Sequence, residues 1–204
     1  MANKGLTAKG AATRQRIIDG AAALIRQRGP AATNLDDVLA ATATSKSQLF
    51  HYFPNGREDL LVAVARHEAD QVLAAQQPYL ADLTSARKWQ AWRTAVLAHY
   101  GELGARCPLG ALTAQLGKTS PKTREIVTEL YDTWESYLVT GVQALEAQGT
   151  LAASIPAARI ARGILAAIQG GVLMLQATGR LGYLEDGLDV AMIPLGARRQ
   201  AAVV

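Results

Sequence analysis

NLDDVLAATATSKSQLFHYFP, residues 34–54, reads as two short helices and the turn between them. Asn34 is a capping residue, and Asp36 and Asp37 fall in the first turn, where the helix dipole favours anions. Leu35, Val38 and Leu39 supply an apolar face. Ser45-Lys46-Ser47-Gln48 then has the form of a capping box, a hydroxyl with an amide three residues on. It opens a second short helix, which Pro54 closes. Upstream, residues 12–28 place Ile17, Ala21, Leu24 and Ile25 on one face, and Gly29-Pro30 stops that helix. Three helices, the second and third about four residues apart, match a helix-turn-helix in a three-helix head. Residues 1–10 read as a mobile basic arm.

The third helix carries Thr44, Ser45, Lys46, Ser47, Gln48, His51 and Tyr52 around an inward pair, Leu49 and Phe53. Small hydroxyls, an amide and a lysine suit base edges and phosphates in a major groove. A capped surface helix with ordinary polar faces is the plainer reading of the same residues. The distribution of charge bears on both. Residues 1–57 hold eight basic residues and three acids, and the rest of the chain holds thirteen and fourteen. The excess positive charge therefore sits wholly in the first quarter of the chain, the footprint of a nucleic-acid module joined to a neutral domain and equally of a solvated basic surface.

Downstream the chain is helical and alanine-rich, without strand signals. Asn55-Gly56-Arg57-Glu58 starts a fourth helix, with Asn55 as cap, that ends near Pro78. Longer helices follow over 85–103, from Ser120-Pro121 to near Gly149, from Ser154 to Gly179, and within 185–199, with a shorter one after Cys107-Pro108. The expected fold is all-α with about nine helices. Residues 1–56 form the arm and DNA-binding head, and residues 57–204 form a larger domain for ligand sensing and dimerisation. The helix over 57–76 connects them.

The stretch 34–54, followed by Gly56-Arg57-Glu58-Asp59-Leu60, resembles the tetracycline-repressor (TetR) family of bacterial regulators over about residues 13–62. Cap, aromatic box (Phe50-His51-Tyr52-Phe53) and helix-four start occur together at that family's spacing. Cys107-Pro108-Leu109-Gly110 further resembles a Cys-Pro-x-Gly element of an LmrA/YxaF-like branch. The resemblance implies phosphate contacts from Thr33, Tyr52 and Arg57. It places Lys46, Ser47, Gln48 and His51 toward the groove, with Thr44 at its edge. Two departures stand out. Ala43 occupies the turn position where glycine is usual, and Phe50 stands in place of tyrosine.

An enzyme would need reactive groups in a recognisable constellation, and none is found. His51, His67 and His99 share no metal-ligand spacing. Gly117-Lys118-Thr119 lacks the upstream glycine and strand of a phosphate loop. No catalytic residue, metal or cofactor is expected. The lone Cys107 cannot form an internal disulfide, and the most apolar stretch, 163–175, is interrupted by Gln169, so a soluble cytoplasmic protein is expected.

The partners expected are a palindromic duplex operator, a hydrophobic or aromatic effector, and a second copy of the chain. The effector would release a repressor from DNA. Its candidate contacts are Trp89, Trp92, His99, Tyr100, Cys107, Gln115, Tyr131, Trp134 and Tyr137, since tryptophan and tyrosine combine an apolar face with one polar handle. The same stripe equally reads as core. A ligand-independent DNA-binding dimer and an all-helical small-molecule enzyme are the competing functions. For the dimer, Ile164, Ile168, Val172 and Leu175 recur at three- and four-residue steps. Gly163, Gly170 and Gly171 beside them suggest close approach of another helix. A four-helix interface built from 156–179, 127–145 and their two-fold copies is the expectation.

Overall fold

A computed structural model describes residues 6–104, 120–151 and 154–196. Eight α-helices occur among them: α1 (Ala8–Arg28), α2 (Leu35–Thr42), α3 (Lys46–Tyr52), α4 (Arg57–Ala74), α5 (Ala86–Leu103), α6 (Pro121–Ala147), α7 (Ala157–Thr178) and α8 (Gly182–Ala191). Short 3-10 turns cover Tyr79–Ala81 and Ile193–Leu195. The all-α expectation holds, and no strand occurs among the described residues.

The first helix begins four residues earlier than its apolar pattern suggests. Thr7 caps it, its hydroxyl accepting from the Gly10 backbone N–H, so part of the expected arm is helical. Asn34 and Ser45 both cap as expected, each within a reciprocal box with Asp37 and Gln48 respectively. At α4 the expected cap, Asn55, is a donor to an acid of the first turn. Asp59, rather than Glu58, accepts from the Asn55 backbone (2.9 Å) and from its amide (3.1 Å). These bonds hold the Asp59 carboxyl below its ordinary pKa.

The described residues fall into two compact units, divided within α4 after Gln71 and within α6 after Val127. In the first, Ile17, Ile18, Ala21, Ala22 and Ile25 of α1 form a core with Val38, Leu49, Phe53, Leu60 and Val64. Close packing there depends on Gly20, where a Cβ would lie 2.3 Å from Thr42 Cγ2. Residues 57–71 thus start the connecting helix and also complete the head.

In the second unit, α6 lines its interior with Leu130, Trp134, Leu138, Val142 and Leu145, all buried. Gly141 on the same face admits Leu83 and Trp89, since a Cβ there would lie 2.5 Å from Leu83 Cβ. Helix α7 is long and apolar enough, by length and composition alone, to cross a membrane, as buried core helices also are. Its apolar face is covered by α8, the helix it packs against most.

That packing corrects the expected dimer face. Ile164, Ile168, Val172 and Leu175 are buried within one chain, at 0, 0, 2 and 3 % exposure. Of the three glycines, only Gly171 faces a close neighbour, Leu184 of α8; Gly163 and Gly170 face open space. Toward 127–145, Arg162 forms an ion pair with Glu135 at 3.0 Å. The apolar periodicity was that of a core stripe, which has the same three-four spacing as an interface.

Candidate nucleic-acid interface and sensor interior

Helix α3 is positioned by its two inward residues, Leu49 and Phe53, each 1 % exposed. Arg14 of α1 stacks over the Phe53 ring at 5.3 Å, fixing the helix end from the other side. The opposite face turns Ser45, Lys46, Ser47, Gln48, Phe50 and His51 to solvent. Gln48 is partly committed, its Oε1 accepting from the Ser45 backbone at 3.1 Å. His51 rests edge-on against half-buried Tyr52, with centroids 4.9 Å apart. Lys46, Ser47, Gln48 and His51 thus share one exposed face with a single cation at its start.

Three of the expected DNA contacts are otherwise engaged. Thr33 is 7 % exposed, and its hydroxyl donates to the Gly29 carbonyl at 2.9 Å. Thr44 is 6 % exposed; its hydroxyl accepts from Thr42 Oγ1 and donates to the Thr42 carbonyl. Both hydroxyls are turned inward and serve turns, so neither reaches a phosphate from this conformation. Arg57 is exposed, yet its Nη2 donates to the Pro30 carbonyl at 2.6 Å. That bond ties the start of α4 to the turn after α1.

Between α2 and α3 the chain turns through Ala43 at φ 47° and ψ 45°, the one non-glycine residue with positive φ among the described residues. The left-handed turn that usually takes glycine is therefore kept, with alanine bearing its steric cost of about 1–2 kcal/mol. An open groove of about 640 Å³ lies beside it, lined by Gln15, Arg16 and Asp19 of α1 and by Ala41–Ala43.

A second polar cluster joins α1 to α4. Glu68 is 3 % exposed and paired with Arg26, while its Oε2 is buried without a partner. Burial raises the Glu68 pKa despite that cation. Beside it, His67 Nε2 lies 3.5 Å from Asp19 Oδ1, and His67 Nδ1 lies 3.3 Å from Gln15 Nε2. Sequence reading missed this cluster, because its partners across α1 and α4 are 42 or more residues apart.

In the second unit Trp89, Trp92, Tyr100 and Trp134 are all buried. Trp92 is a structural residue by its bonding, with Nε1 donating to Gln76 Oε1 at 2.9 Å and Gln76 donating in turn to the Val72 carbonyl. Trp89 packs edge-on against it. The Nε1 atoms of Trp89 and Trp134 and the Nε2 of Gln169 are buried without acceptors. Such unmet donors cost about 1–3 kcal/mol each. His99 is half-buried, and desolvation lowers its pKa. Tyr131 and Tyr137 are half-buried on α6. Cys107 and Gln115 lie outside the described residues.

Comparison with known proteins agrees with this arrangement. The family described as "Bacterial regulatory proteins, tetR family" matches residues 17–64, and "Tetracyclin repressor-like, C-terminal domain" matches residues 87–189. An HTH-type transcriptional regulator from the lacX 3' region of Lactococcus lactis is 27 % identical over 187 residues, spanning 87 % of this chain and 90 % of that protein. The HTH-type regulator YxaF of Bacillus subtilis is 23 % identical over 127 residues, 61 % of this chain and 66 % of that protein. Among solved structures, a TetR transcriptional regulator from Chloroflexus aurantiacus superposes with a TM-score of 0.79 at 26 % identity, covering 92 % of this chain and 96 % of its own. A TetR-family regulator from Cytophaga hutchinsonii gives 0.77 at 20 % identity, with 96 % and 98 % covered. These relatives are transcriptional regulators by name. With its head and most of its second unit both matched, the chain belongs to the TetR family of helix-turn-helix transcriptional regulators.

Proposed function

We propose that this regulator is a cytoplasmic homodimeric repressor that binds a palindromic operator and leaves it when a small molecule binds the second unit. The observation that carries the DNA half is the exposed face of α3, where Lys46, Ser47, Gln48 and His51 project together from a helix anchored by Leu49 and Phe53. Lysine and amide groups on one helix face suit phosphates and base edges in a major groove.

Dimerisation is supported by the outer face of α7 and α8. Gly163, Ala166, Gly170, Leu173 and Ala177 form an exposed stripe at three-four spacing, the seam that a second helix fills. Leu173, Met174, Tyr183, Val190 and Ile193 are five of the seven large apolar side chains exposed among the described residues. An exposed apolar patch of this kind marks an interaction surface. The effector half is supported by the three buried donors without acceptors, which favour an aromatic molecule bearing hydrogen-bond acceptors.

Selection of duplexes from a random library by the purified chain tests the DNA half. The expected product is a palindrome with half-sites about 34–36 Å apart, or a multiple of that distance. Lys46→Ala should weaken binding and lower the salt slope by about one unit. Failure of the chain to enrich any sequence would sink the proposal. A panel of acceptor-bearing aromatics, each with its hydrocarbon counterpart, tests the effector half through loss of the selected duplex.

A further inference from the structure

We propose that Gln15, Asp19 and Arg26 of α1 with His67 and Glu68 of α4 form a polar clasp that positions the head for DNA binding. This rests on the DNA-binding reading above. Helix α4 is held in the head by Leu60 and Val64, packed on Ile17, Ile18 and Ala21 of α1. Apolar contact of this kind is non-directional and tolerates rotation and sliding of one helix on the other. His67 and Glu68 lie one turn beyond Val64, only three residues before the point where α4 passes into the second unit. Here the contacts are directional: Glu68 to Arg26, and His67 between Gln15 and Asp19. A His67 tautomer with its proton on Nε2 accepts from Gln15 and faces Asp19 with a donor, satisfying both contacts.

The choice of groups argues for positioning over stability. A well-packed apolar pair in place of a buried ion pair is often neutral or stabilising, so a buried pair is weak support for a fold but an effective register device. Glu68 fits this description, being buried with one oxygen unpartnered. The clasp thus fixes the orientation of α4 on α1 three residues before the unit ends.

The test uses the full chain and the duplex it selects. Arg26→Met with Glu68→Leu removes the ion pair without changing net charge. Asp19→Ala removes the anion from His67 at a site 55 % exposed, where folding is not at risk. Both variants are expected to melt at or near the wild-type temperature. Each should bind the duplex about 5–150-fold more weakly, with the salt slope unchanged because no phosphate contact is lost. Asp19→Ala is the sharper arm. It makes the head more basic, so a purely electrostatic effect tightens binding while loss of the clasp weakens it. Unchanged or tighter binding by both variants overturns the proposal. So does a loss that merely follows a fall in melting temperature, since the cluster would then be structural only. Absence of any selected duplex for the wild type overturns the DNA-binding reading itself, and the clasp's role with it.

Discussion

Gly171 on α7 faces Leu184 on α8 so closely that a Cβ on the glycine would lie 2.4 Å from the leucine Cα. Backbone atoms cannot give way as a flexible side chain does. Gly171→Ala should therefore separate the two helices and cost about 1–3 kcal/mol, despite alanine's better helix propensity. Urea unfolding followed by circular dichroism measures it. A lowered midpoint is expected, with Gly187→Ala milder because its nearest neighbour, the Ala167 carbonyl, lies at 3.6 Å.

Ala43 predicts a change of the opposite sign. Its left-handed backbone is one that alanine adopts only with strain, and glycine adopts it freely. Part of the gain is offset by the greater freedom of glycine in the unfolded chain, leaving about 0.5–1 kcal/mol for Ala43→Gly. The variant should unfold at higher urea concentration. An unchanged or lower midpoint would show that the turn holds alanine without strain.

How much of this was legible in the sequence depends on the range of the interactions. The caps at Asn34 and Ser45 and the stop at Pro54 are each settled within four residues, so the head could be read directly. What lay beyond was the fate of each side chain. Thr33 and Thr44 belong to the right motif but spend their hydroxyls on nearby backbone, which residue type alone does not reveal. The α7 stripe misled because periodicity reports that a face is buried and not what buries it. The clasp was illegible because Arg26 and Glu68 meet only after α1 and α4 pack.

Glu68 also makes stability depend on pH in a specific direction. Its pKa is raised in the folded chain by burial, so the folded state holds a proton that the unfolded state has released. From its ordinary value of 4.5 upward, the wild type therefore loses stability as pH rises through the raised value. Glu68→Gln lacks that proton and that loss. The stability difference between Glu68→Gln and wild type should grow in the variant's favour from pH 4.5 toward neutrality. Urea titrations of both proteins across that range check the sign. A difference that stays flat, or shifts toward the wild type, would mean that Arg26 more than compensates the carboxylate.

Val172 and Leu173 are adjacent on α7 yet face opposite surroundings, 2 % and 61 % exposed, and the same substitution should do different things at each. Val172→Glu puts a carboxylate into the chain's own core with no partner, so the expected result is loss of cooperative unfolding. Leu173→Glu leaves that core untouched, and a surface change of this kind usually alters monomer stability by only about 0.5 kcal/mol. Its effect should appear in assembly. In a two-fold dimer built on the exposed stripe, each copy contributes Leu173 beside Gly170 and Ala177, where small residues admit a close neighbour. Two carboxylates would then be forced together and partly desolvated, costing several kcal/mol by the scale of buried unpaired charges. The variant is therefore expected to sediment as a folded monomer, with wild-type helicity. Its affinity for the selected duplex should collapse, because one chain can engage only one half-site. A Leu173→Glu protein that stays dimeric and binds DNA as the wild type does would place the interface on another face of the chain.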